Sequence, residues 1–414
     1  MNMWLVGQWL AARRALIGGL FFGLIVASWT ASSLAAAEEP IAPYSPEVEA
    51  HIQHIVAGLI GPKLVAGKPA RTVSLSDRMT ALNVPGVSIA FIHHGQIEWS
   101  RGFGVARVGG APVTPDTLFQ AGSISKPVTA MAVLNLAQSG RLNLDADVNR
   151  YLTSWKVSDS RYMETEKVTL RRLLTHTAGV TVHGFEGYAA GQSIPSLRQV
   201  LDGSPPANSP PIRIDSIPGT AWRYSGGGYV IVQQVLDDVS GEPFAKLMDE
   251  VVLSPLGMKH STFEQPLPKA ELEDAATPYD DRGQPIKGGA HIYPEMAPAG
   301  LWTTPSDLAR YIIGVQDSLS GKSSAVLSQG TALKMVAPGG LGHWGLGFQL
   351  GGTPGRPAFA HDGVNAGFVS LIAAYEDGDG VAIMTNGSRG GELTRELLLT
   401  IANEYGWPDF QPKP

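Results

Sequence analysis

The chain has no cysteine among its 414 residues, so disulfides, a thiolate nucleophile and thiolate-bound metals are excluded. Charge is also sparse. Only 16% of residues are charged, the net charge is −6 and no run of Lys and Arg exceeds two. That leaves no basic track for nucleic acid or an anionic membrane. The zinc-hydrolase spacings H-E-x-x-H and H-x-H-x-D-H do not occur, so no metal and no other cofactor is expected. A small molecule or a short peptide is the partner these absences leave.

What is present is a large apolar fraction, 43% of the chain, enough to bury the core of one big domain or two packed lobes. The first residues have the parts of an export signal: Arg13-Arg14, an apolar stretch over 15–29, and Ala35-Ala36-Ala37 before Glu38. Cleavage after Ala37 makes residues 1–37 a signal peptide, 38–45 a linker and 46–414 the working domain, periplasmic or secreted. The competing reading is an uncleaved anchor, the only membrane contact expected.

Residues 87–106 read as a hairpin turning at His94-Gly95, and a second β-rich region runs through 344–348, 368–374 and 381–385. Residues 393–405 have the period of an amphipathic helix that covers a sheet face. The Pro-rich stretch 204–218 reads as an ordered surface loop. Strands at both ends with helices between predict an α/β (α+β) fold, one antiparallel sheet made from both chain ends and a mainly helical lobe inserted in the middle. The site is expected in the cleft between lobes.

Three segments can carry chemistry. Ser123-Ile124-Ser125-Lys126 opens an apolar helix reaching about Ala137. Residues three apart share a helix face, so the Ser123 hydroxyl and Lys126 amine can enter one cavity. A lysine buried there becomes a base near neutral pH; the bland alternative is a Ser cap followed by a solvated Lys. Tyr224 precedes Ser225-Gly226-Gly227-Gly228, a turn able to hold the ring over a cleft, although a tyrosine packed at a helix start is the commoner outcome. His361-Asp362-Gly363 reads as the start of a late strand, where a cation or donor at His361 can bind a carboxylate or an oxyanion; otherwise it is a strand-edge histidine in water. His51 and His54 read as solvated, and His176 as a packed loop residue.

Together and in this order, the segments resemble the serine β-lactamase and penicillin-binding hydrolase superfamily, in the class C β-lactamase-like branch that includes D,D-peptidases, D-aminopeptidases and family VIII carboxylesterases. Its S-x-x-K, Y-x-N and K/H-x-G motifs match Ser123 to Lys126, Tyr224 to Gly226 with a difference, and His361 to Gly363. Leu173-Leu174-Thr175-His176-Thr177-Ala178-Gly179, Pro255-Leu256-Gly257-Met258 and Thr385-Asn386-Gly387 are also similar to that branch. The likeness spans about residues 46–407. The rival G-x-S-x-G elbow is absent.

The resemblance implies a β-lactamase-like fold and acylation of Ser123, with Lys126 and Tyr224 exchanging its proton. It also implies an oxyanion hole from the N–H groups of Ser123 and Val364, the residue after Gly363, with His361 orienting the substrate. Gly226 replaces the Asn common in the family, which weighs against efficient β-lactam or peptide turnover. The expected function is cleavage of a carboxylic ester or a D-amino-acid amide or peptide bond. The alternatives are a β-lactamase and a non-catalytic module that binds cell-wall peptides.

Overall fold

Residues 86–93 bury every side chain but the last, so this segment must lie in a sheet covered on both faces. The computed structural model describes residues 44–61 and 72–409; the expected export signal and most of the linker lie outside them. There the segment is β1 (Gly86–His93), paired with β2 (Gln96–Gly104). The turn between them has positive φ at both His94 (51°) and Gly95 (74°), the conformation whose twist matches a two-residue hairpin.

The sheet is completed by β3 (Gln349–Thr353), β4 (Arg356–Asn365), β5 (Phe368–Tyr375) and β6 (Gly380–Thr385). Its six strands run in the order β2-β1-β6-β5-β4-β3. Every pair is antiparallel. Strand β6 lies along β1 from Gly380 opposite Ile92 to Thr385 opposite Val87, so the two ends of the chain close one sheet.

The helices that cover this sheet or carry the site are α1 (Pro46–Ala57), α2 (Ser125–Gln138), α3 (Gly226–Ser240), α4 (Met296–Ala299), α5 (Pro305–Ser320) and α6 (Gly390–Glu404). Alternation along the strands sends Val87, Ile89 and Phe91 to one face with Ile52 and Ile55 of α1 and Leu393, Leu397 and Ile401 of α6. Ala90 and Ile92 face the other way, into a core shared with α2 and α5. From Tyr44 onward the residues make one compact unit.

Two expectations are corrected. Residues 344–348 are not a strand; Trp344 makes only an isolated antiparallel bridge to Gln349, where β3 begins. Gly347 there has φ +102°, and its Cα passes so near α2 that a Cβ would lie 2.8 Å from that of Ala130, which leaves this backbone laid on the helix instead of in the ladder. Nor are His51 and His54 merely solvated. Both ring Nδ1 atoms meet Glu404, at 2.7 and 3.0 Å, and tie α1 to the end of α6.

Candidate active site

The local sequence presents Ser123 on a short turn and Lys126 in the core. Gly122–Ile124 form one 3-10 turn leading into α2, so Ser123 sits just before the α-helix instead of capping it. The Ser125 hydroxyl donates to the Gly122 carbonyl at 2.6 Å and accepts from the Leu301 amide at 3.0 Å, which fastens the turn to the chain after α4. Apolar residues surround α2, and Lys126 is only 2% exposed. Its Nζ is 2.9 Å from Ser123 Oγ and donates to the Pro298 carbonyl at 3.0 Å.

Tyr224 arrives from the opposite side. Ser225 caps α3 by accepting from the Gly228 amide at 3.0 Å, and its hydroxyl donates to the Thr181 carbonyl at 2.8 Å. Gly227 allows this close passage, because a Cβ would lie 2.6 Å from the Thr181 oxygen. The Tyr224 hydroxyl is near enough to Ser123 for the serine to favour its ionised form, and Lys126 Nζ lies 4.9 Å from its ring centre. Serine, lysine and tyrosine therefore share one small space, although the tyrosine is about a hundred residues away in sequence.

Strand β4 supplies the third wall. Asn365 and Phe368 close a two-residue turn, so Val364, one step back, is in the non-bonded class of antiparallel pairs and its N–H points out of the ladder. It points toward the serine turn: a Cβ on Gly122 would lie 2.6 Å from the Val364 nitrogen, and one on Gly363 would lie 1.9 Å from the Ala121 carbonyl oxygen. Two glycines let the backbones touch. The Ser123 and Val364 amides can then face a single oxyanion, the Ser123 N–H being at the opening of a turn where such groups lack an internal acceptor. His361, two residues before Gly363, has its ring centre 6.3 Å from that of Tyr224.

Burial sets the proton affinities. It is the main cause that brings Lys126 down to about 7, with Asp362 partly opposing it. Burial likewise pushes the Tyr224 phenol well above its ordinary value, against the opposing influence of Ser123. At neutral pH this pairs an available amine with a protonated phenol.

Several neighbours escaped the sequence reading. His176 packs on Tyr224 with ring centres 4.3 Å apart, and its Nδ1 accepts from the Ser225 amide at 3.2 Å. It is packed, as expected of a loop histidine, but it is packed under the tyrosine. Trp344 meets His176 at 5.1 Å and His361 at 5.6 Å between ring centres. The Pro298 carbonyl and Trp344 carry no motif of their own; only a sharp turn at His176, with φ +59°, marks one of them locally. At Gly226 a Cβ would lie 3.0 Å from the Phe185 ring and 3.1 Å from the His183 carbonyl, so the place of a family asparagine is partly occupied.

Comparison with known proteins bears on the fold and the family. Penicillin-binding protein 4 of Amycolatopsis lactamdurans is 27% identical over 359 residues, covering 81% of this chain and 91% of that protein. Esterase EstB of Burkholderia gladioli is 36% identical over 205 residues, 46% of this chain and 49% of the esterase. The solved octameric penicillin-binding protein homologue from Pyrococcus abyssi superposes with a TM-score of 0.67 at 25% identity, over 80% of this chain and 76% of that one. The family model described as Beta-lactamase matches residues 73–404, and with fold, motif order and relatives in accord, the chain belongs to the beta-lactamase family as a hydrolase of that fold.

Proposed function

We propose that this hydrolase works through an acyl-enzyme on Ser123 and cleaves a carboxylic ester or a D-amino-acid amide or peptide bond. The observation that carries the proposal is the buried Lys126 amine 2.9 Å from Ser123 Oγ, with its pKa drawn down to about 7.

Deprotonated Lys126 accepts the Ser123 proton as Oγ attacks the substrate carbonyl. The Ser123 and Val364 amides hold the developing oxyanion. Tyr224, kept protonated by burial, donates to the leaving oxygen or nitrogen, and Lys126 returns its proton to Tyr224. Water then repeats the sequence on the Ser123 ester, releasing the acid and restoring the free serine. Each proton given up is recovered, so no cofactor is required.

Between ester and amide, Gly226 favours the ester, since no side-chain amide at that position grips a substrate amide. The local identity to EstB supports the same reading. In this proposal residues 1–37 are a cleaved export signal and the enzyme works outside the cytoplasm, a reading supported by Arg13-Arg14, the apolar stretch 15–29 and Ala35-Ala36-Ala37; N-terminal sequencing of the exported protein should begin at Glu38.

The test is initial rates for the mature protein and Ser123→Ala on a short-chain aryl ester, a D-alanyl anilide and a chromogenic cephalosporin. The ester should be fastest, with Ser123→Ala at least a thousandfold slower. A cephalosporin turned over fastest would make it a β-lactamase. Silence on all three, with a cell-wall peptide bound, would make it a binding module.

A further inference from the structure

His361 lies on the inner side of β4, only 2% exposed. Its Nδ1 is 2.6 Å from the carbonyl oxygen of Asp362. A carbonyl can only accept, so Nδ1 carries the proton, and in the neutral ring Nε2 is left as a lone-pair acceptor. That nitrogen is buried with no hydrogen-bond partner. The surroundings keep the ring neutral: burial chiefly lowers its pKa, to about 4, and Lys126 acts in the same direction while Asp362 opposes.

The neighbours give a matching polarity. Trp344, whose ring centre is 5.6 Å from that of His361, has a buried Nε1 that also lacks a partner, and an indole N–H only donates. The basic groups bordering Tyr224 are already engaged. Arg223 pairs with Asp215, and Lys126 is held by Ser123 and Pro298. The exposed Asp362 carboxylate extends its field to Lys126, Tyr224 and His361. Among the described residues, this corner therefore holds a lone pair, an N–H and a negative field, and its basic neighbours Lys126 and Arg223 are committed to other partners.

We propose that the His361 corner selects substrates whose leaving side carries a neutral hydrogen-bond donor, a carboxamide above all, and rejects a carboxylate there. The leaving side is the one concerned because its atom must lie within reach of Tyr224, which protonates it, and His361 is beside Tyr224. A carboxamide brings an N–H for Nε2 and a C=O for Trp344. A carboxylate brings acceptors only, sets lone pair against lone pair at Nε2, and loses its water with no charge to offset the loss. His361 thus differs from the cation that the sequence alone admits at this position. The inference rests on the acyl-enzyme reading.

The test uses a matched pair, the acetate esters of 3-hydroxybenzamide and 3-hydroxybenzoate, at neutral pH. For the wild type, kcat/KM should favour the benzamide ester at least tenfold. His361→Gln, still neutral, should keep that preference, and His361→Lys should reverse or erase it. Equal or faster turnover of the benzoate ester by the wild type would overturn the proposal. Calorimetric binding of both intact esters to Ser123→Ala decides the same question without turnover: tighter benzamide binding supports the proposal, while equal, weaker or absent binding defeats it. Labelling of wild-type Ser123 by a neutral fluorophosphonate, read as an intact-mass shift, is scored separately. A protein that discriminates the esters in binding but resists labelling would refute the acyl-enzyme while leaving the selection intact.

Discussion

Lys126 is an amine that folding removes from water, and its consequences are felt in both rate and stability. With its pKa near 7, kcat/KM should fall about tenfold per pH unit below that value as the base is protonated, which a pH-rate profile reads directly. A profile flat from pH 5 to 8 would rule Lys126 out as the base. The stability sign follows from the same change. The unfolded lysine titrates near 10.5 and the folded one near 7, so between these values the unfolded chain binds more protons and stability rises with pH. At neutral pH the buried amine costs stability, about 1.4 kcal/mol for each tenfold loss of proton affinity on folding. Lys126→Met should therefore abolish turnover and raise the melting temperature by several degrees, and calorimetric scans of the two proteins at pH 7 and pH 10 should converge as pH rises. A lower melting temperature for the variant would show that its bonds to Ser123 and Pro298 outweigh desolvation.

At the level of elements, the site depends on β4 passing against the turn that carries Ser123. Gly363 is the tightest point, with a hypothetical Cβ 1.9 Å from the Ala121 oxygen. Gly363→Ala must separate the two, so activity should drop at least a hundredfold even if circular dichroism shows the fold intact. The start of α3 is tight in another way. A side chain at Gly226 meets Phe185 and the His183 carbonyl, so Gly226→Asn alone should lose stability, by about 1–3 kcal/mol in a urea titration. Combined with Phe185→Ala it gains room, and the double variant should raise amide turnover relative to ester turnover; an unchanged ratio would remove the amide from any part in specificity. The sequence made the helix after Ser123, the hairpin at His94-Gly95 and the strands around 368–374 and 381–385 legible, because period and turn residues are local signals. It misled at 344–348, where an apolar run with glycines is held by a helix far away in the chain.

Across the molecule, β1 and β6 join parts of the chain almost three hundred residues apart, and α6 seals the face they form with Leu393, Leu397 and Ile401. Each of those side chains contributes about 1.5–3 kcal/mol when buried. Deleting residues 390–414 should therefore leave a protein that binds a hydrophobic dye and lacks a cooperative melting transition. The sequence by itself determined the order of S-x-x-K, tyrosine and H-x-G segments, the sheet from both ends and the absence of any thiol or zinc-hydrolase pattern, since each is written in residue type and short spacing. Only the tertiary structure decided which groups meet Tyr224, that Trp344 and His176 pack beside the site, that Pro298 holds the lysine, and that His361 is an acceptor. Those properties come from burial and from backbone atoms brought together by the fold, and neither a carbonyl's direction nor the water removed from a ring has a letter in the sequence.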